Sequence, residues 1–150
     1  MIRRLLTVFL PIIIAINMIP GNAYAKSHVN LRPTSSNVLW LAKAICAENG
    51  DSTSKTIELT GIVICQRVRA ESYPDTIIGV ISQKGQYSTW SNQSIQRCKP
   101  NKRCMKIAKK ILKRGLYFRH PHNLVFQSQF KQGKKIYRYI KKDNEYFCLA

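Results

Sequence analysis

The stretch that decides the fold is Lys55-Thr56-Ile57-Glu58-Leu59-Thr60-Gly61-Ile62-Val63-Ile64-Cys65-Gln66-Arg67-Val68-Arg69. Its apolar side chains cover most of a helix's circumference instead of forming one stripe. A helix of that kind has to be enclosed by its neighbours. The spacing predicts a buried central helix over 55–69, with the rest of the chain packed around it.

Upstream, Val38, Leu41, Ala42, Ile45 and Cys46 recur at helical spacing, so a helix is expected from Ser35 or Ser36 through Ala47. Asn49-Gly50 offers a left-handed residue to end it, and the segment from Asp51 to Ser54 offers caps for the next, giving a helical hairpin. Downstream, Tyr73-Pro74 breaks the pattern and Asp75 can cap a short helix carrying Ile77, Ile78, Val80 and Ile81. Residues 83–90 read as a polar, aromatic loop. Another helix, from about Asn101 to Lys113, turns Met105, Ala108, Ile111 and Leu112 inward. It turns Lys102, Arg103, Lys106, Lys109, Lys110, Lys113 and Arg114 outward, and it ends at Gly115.

Beyond Pro121 the period becomes two. Leu124 to Phe130, Lys135 to Lys141 and Glu145 to Leu149 read as strands, with turns at Gln132-Gly133 and Asp143-Asn144. The fold class is therefore α+β, mainly helical with a small antiparallel sheet at the C-terminal end.

The first residues carry an address. Arg3 and Arg4 precede an apolar run from Leu5 to Ile19, and Ala23-Tyr24-Ala25 forms a small-residue cleavage site, so 1–25 is expected to be a signal peptide. A lead-in at 26–36 and one domain at 37–150 follow. Cleavage removes two cations and no acid, which takes the formal charge from +18 to +16. Such a charge calls for an anionic partner and fits an acidic cell envelope, an anionic membrane surface or nucleic acid equally well.

Export permits disulfides among Cys46, Cys65, Cys98, Cys104 and Cys148. Cys98 and Cys104, flanking a short basic loop, are the expected pair. No Cys-x-x-Cys occurs and the histidines lack ligand spacing beside the cysteines, so no metal is expected. His120-Pro121-His122 reads as a surface turn.

Only seven carboxylate side chains exist, and Glu48 stands apart from the other six. It continues the row Leu41, Ile45, Glu48 at the edge of an apolar face and sits in the last helical turn. Partial burial and the negative helix end both favour its neutral form there. A protonated acid is what glycosidic cleavage requires; a solvated Glu paired with a nearby cation is the bland alternative. Glu58, on the outer side of the central helix, reads as a surface residue. Asp51 and Asp75 read as helix caps.

Four segments in order carry a family resemblance: Leu41 to Glu48, Gln66-Arg67-Val68-Arg69, Tyr73 to Ile81, and Gly85-Gln86-Tyr87-Ser88. Together they closely resemble the SleB-type cell wall hydrolase family of spore cortex-lytic enzymes. The resemblance implies a lysozyme-like domain, metal-free and cofactor-free, that acts as a lytic transglycosylase on N-acetylmuramic acid to N-acetylglucosamine linkages. It implies Glu48 as the catalytic acid, and a transglycosylase lets that one residue serve twice, its carboxylate also accepting the proton of the attacking 6-hydroxyl.

It also implies that Gln86, Tyr87 and Ser88 line the glycan cleft, with Tyr87 replacing a phenylalanine. Gln127 stands where the family often has histidine or asparagine, and is expected to bind substrate. The expected partner is the peptidoglycan glycan strand rather than nucleic acid, met by a monomer in the periplasm or outside the cell. The rival is a non-enzymatic cationic binder of envelope polymers or nucleic acid.

Overall fold

The computed structural model describes residues 26 and 29–150. The export signal expected at 1–25 lies outside the described residues. Helices α1 (Ser35–Asn49), α2 (Ser54–Arg69), α3 (Ile77–Ser82), α4 (Ser88–Ser91), α5 (Ser94–Arg97) and α6 (Lys102–Arg114) precede strands β1 (Leu124–Ser128), β2 (Lys135–Ile140) and β3 (Glu145–Leu149). The chain is α+β as expected. Among the described residues, no helix is long and apolar enough to cross a membrane.

The central helix is α2. Ile57, Leu59, Ile62, Ile64, Cys65 and Val68 are fully buried, because α1, α3, α6 and β1 enclose it on all sides. A Cβ on Gly61 would lie 2.6 Å from Cδ1 of Ile111 on α6 and 3.4 Å from Cγ2 of Ile45 on α1, so the missing side chain is what lets three helices meet. Helix α6 is capped by Asn101, whose side chain accepts from the Cys104 amide at 2.8 Å, and Gly115 closes it in the left-handed conformation. Its seven outward cations are all exposed.

Several local expectations are corrected. Asn49-Gly50 does not end α1 with a left-handed residue. Asn49 stays helical and buried, its amide donating to the Thr60 hydroxyl at 2.9 Å, while Gly50 keeps φ at −57°. Glycine is needed there because a Cβ would fall 2.5 Å from the Cys46 carbonyl.

The cap of α3 is Thr76 and not Asp75, which pairs instead with Lys26. The cap of α2 is Thr53, helped by the distant Asp143, whose carboxylate accepts from the Thr53 amide at 3.1 Å and from the Thr53 hydroxyl at 2.6 Å. Asp51 plays no part in it. The lead-in is docked: Leu31 is buried, Asn30 bridges to Thr76, and Asn37 donates to the Arg32 carbonyl at 2.9 Å.

The sheet order is β1-β3-β2, so the last strand is the middle one and both neighbours run antiparallel to it. Asn144 takes the left-handed conformation at the Asp143-Asn144 turn. Cys98 and Cys104 are thiols, as are Cys46, Cys65 and Cys148. Cys46 neighbours both Cys98 and Cys104, so the expected pair is part of a cluster of three. Burial first, then contact with Cys46, pushes the Cys104 thiol up to about 12.

Candidate active site

The end of α1 is pinned to α2 through Asn49 and Thr60, and this fixes the turn that carries Glu48. The Glu48 side chain is half-buried, and the Thr89 hydroxyl at the start of α4 donates to its carboxyl oxygen. Burial pushes the Glu48 carboxyl above its ordinary range; the Thr89 hydrogen bond and the nearby Arg67 guanidinium oppose that rise without cancelling it. An acid held in this way keeps its proton to higher pH than a solvated one.

A cleft of about 150 Å³ opens beside Glu48. Gln86 and Tyr87 wall it from the segment after α3, Arg67 from α2, Gln127, Ser128 and Gln129 from β1 and its end, and Glu145 from β3. Glu48, Gln86, Tyr87 and Gln127 thus share one cleft. Ser88 does not belong to it, because it heads α4 and is exposed. Tyr87 is buried, and its phenol is pushed up to about 12 chiefly by burial, so it remains a hydrogen-bond donor at neutral pH.

A wider hollow of about 470 Å³ lies among Lys106, Lys109, Lys110, Lys113 and Arg114 of α6. Its walls are cation stems and it contains no group for acid–base work, so the smaller cleft is the candidate site. Glu58 is remote from that cleft and is held by Lys110 at 2.7 Å and Lys55 at 3.8 Å. His120 sits in a turn with its Nδ1 3.0 Å from the Tyr137 hydroxyl. No group of His, Cys, Asp and Glu among the described residues has the arrangement to hold a metal ion.

Arg67, Ser128, Gln129 and Glu145 of the cleft lining, and Thr89 beside it, were not singled out as site residues from the sequence. Thr89 lies in the stretch read as loop and becomes visible only when α4 folds against α1. Arg67 is buried at 7% exposure; its Nε donates to the Val125 carbonyl at 2.8 Å, and its guanidinium lies 5.2 Å from the centre of the Tyr87 ring. Glu145 is buried at 8% exposure. One signal for it existed: in an alternating strand Glu145 shares a face with Phe147, and Phe147 is core.

The sequence assigns the chain to a class of enzymes that cut cell-wall polymers. The cell wall hydrolase family matches residues 54–147, so the chain belongs to that family, whose members degrade peptidoglycan. The matched span begins after Glu48.

Two solved structures share the fold. The catalytic domain of the Bacillus cereus SleB protein is 17% identical with a TM-score of 0.60, the alignment covering 86% of this chain and 98% of that one. The catalytic domain of the germination-specific lytic transglycosylase SleB from Bacillus anthracis is 16% identical with a TM-score of 0.56, covering 77% and 95%. No curated protein matches the chain.

Proposed function

We propose that this chain is an exported lytic transglycosylase that cleaves the N-acetylmuramic acid to N-acetylglucosamine bond of peptidoglycan, with Glu48 as its acid. The observation that carries the reading is a half-buried Glu48 carboxyl, raised by burial, at the edge of a cleft in a cell wall hydrolase. Glu48 gives its proton to the departing glucosamine oxygen as the bond to the muramic anomeric carbon breaks. The muramic 6-hydroxyl then bonds to that carbon and passes its proton to a carboxylate of the cleft, so an anhydro ring forms and no water is consumed. The name of the Bacillus anthracis relative supports this outcome.

Gln86, Tyr87 and Gln127 hold the sugar chain in this reading. The acid-free outer face of α6 steers the enzyme to the anionic wall. One domain from residue 37 onward does this work after removal of residues 1–25.

A hydrolytic muramidase is the second reading. It is favoured by one observation, the carboxyl of Glu145 in the same cleft, which could serve an attacking water. Purified peptidoglycan digested by the mature protein and by Glu48→Gln separates these readings by mass spectrometry. Anhydro-muropeptides from the parent alone support the transglycosylase, and reducing ends support the muramidase. Equal digestion by both proteins removes Glu48 from the mechanism, and soluble products from neither leave a cationic binder.

A further inference from the structure

Glu145 is the first residue of β3, where the turn at Asp143-Asn144 delivers the chain to the middle of the sheet. A carboxyl beside a turn ordinarily faces water. This one is 92% buried by the complement of its 8% exposure, because it lies two residues from Phe147 on the face that packs against the helices. Gln127, opposite Phe147 on β1, shares that face and lines the same cleft. One carboxyl oxygen, Oε2, is buried with no hydrogen-bond partner within the protein. Leaving such an acceptor unpaired is costly in an interior, and a group kept that way calls for a functional explanation.

The Glu145 side chain lines the cleft that Glu48 also lines. Neither carboxyl has a cation salt-bridged to it among the described residues, and Asp143, the other nearby acid, is engaged with Thr53 and Thr56. Burial first, then the charges of Glu48 and Asp143, push the Glu145 carboxyl above its ordinary range, against the influence of the neighbouring Gln127 side chain. Once ionised, it is a stronger proton acceptor than a solvated carboxylate.

We propose that Glu145 is a second catalytic residue, whose carboxyl accepts a hydrogen bond from the hydroxyl that attacks the anomeric carbon and takes the proton that hydroxyl releases. This rests on the reading of Glu48 as the acid. The bond from the anomeric carbon to the glucosamine oxygen breaks, and that oxygen receives the Glu48 proton. The bond from the anomeric carbon to the attacking oxygen forms, and its proton passes to Glu145. Glu48 ends as carboxylate and Glu145 as acid, and exchange with solvent resets the pair. The attacking hydroxyl is the muramic 6-hydroxyl in the transglycosylase and water in the muramidase, so the role is the same for either outcome.

The test compares Glu145→Gln, Glu145→Ala and Glu48→Gln on soluble peptidoglycan strands, with thermal unfolding as the control for folding. Glu145→Gln is expected to lower kcat about 100-fold or more with KM within about twofold, the range for loss of a positioned base. Sodium azide is expected to restore cleavage by Glu145→Ala and yield a muramyl azide, because the azide anion attacks without a proton to lose. Parent-like kcat in Glu145→Gln alongside an inactive Glu48→Gln overturns the role of Glu145 and leaves Glu48 as the acid. An active Glu48→Gln overturns the reading beneath both. Should Glu145→Gln fail to fold, Glu145→Asp decides: it keeps the charge and withdraws the oxygen, and undiminished kcat with that variant overturns the proposal.

Discussion

Thr89 donates its hydroxyl hydrogen to the carboxyl of Glu48, joining the first turn of α4 to the last turn of α1. A hydrogen bond given to a carboxylate favours the ionised form, so this contact works against the burial that raises the acid. Thr89→Val removes the donor and keeps the shape. The Glu48 pKa then moves further up, and the alkaline limb of the kcat/KM profile moves to higher pH. Thr89→Ser, which keeps the hydroxyl, is expected to leave the limb in place. A pH–rate series on the three proteins checks this, and an unmoved limb in Thr89→Val argues against Glu48 as the titrating acid.

Arg67 restrains the same carboxyl from the other side. Its guanidinium is buried between the rings of Tyr73 and Tyr87, at 5.5 and 5.2 Å from their centres, and it satisfies the Val125 carbonyl of β1. Arg67→Met removes a charge that favours ionised Glu48 and leaves that carbonyl unpaired. The expected loss of stability is about 1–3 kcal/mol, the range for an orphaned buried acceptor, measured by urea unfolding. The alkaline limb is expected to shift upward as it does in Thr89→Val. A variant as stable as the parent would show that the Val125 contact contributes nothing.

How much of this was legible follows from how local each feature is. The helix over 55–69 announces itself because apolar residues surround it, and Glu48 because it extends the apolar row of α1. Both need only a period of 3.6. Glu145 was passed over because its burial comes from the pairing of β1 with β3, and the expectation of three successive strands said nothing about which strand lies in the middle.

Ser88 falls outside the cleft lining for the complementary reason. A matched loop segment was carried over whole, while the backbone turns into α4 at that residue and points its side chain to solvent. The Asp75 cap failed because Thr76 is one residue nearer the helix, where its hydroxyl reaches the Gly79 amide at 3.0 Å.

Asp143 ties the C-terminal turn to the start of α2. Hydrogen bonds from Thr53, then Thr56, hold its carboxyl below the ordinary range. A depressed folded-state pKa contributes stability that is present above the unfolded value and is lost as pH falls through the folded one. Asp143→Ala is therefore expected to unfold at a lower temperature than the parent near neutral pH, with the gap closing as the solution is acidified. Thermal melts from neutral to strongly acidic pH report it. A gap independent of pH would mean that Asp143 acts through packing and not through its charge.

Gly61 is a point where α1, α2 and α6 meet, and two opposing effects act there. Alanine raises helix propensity by about 1 kcal/mol, but its Cβ would stand 2.6 Å from Cδ1 of the fully buried Ile111. Forcing a methyl into a filled core costs about 1–3 kcal/mol. The steric effect is expected to win, so Gly61→Ala destabilises.

Ile111→Val deletes the clashing methyl and by itself costs about 0.5–1.5 kcal/mol. The two changes together are expected to cost less than their sum, by more than the roughly 0.5 kcal/mol within which independent sites add. With the clash relieved, the propensity gain of alanine is free to appear. Urea unfolding of the four proteins measures the coupling, and simple additivity would mean that the helices separate at Gly61 instead of pressing against Ile111.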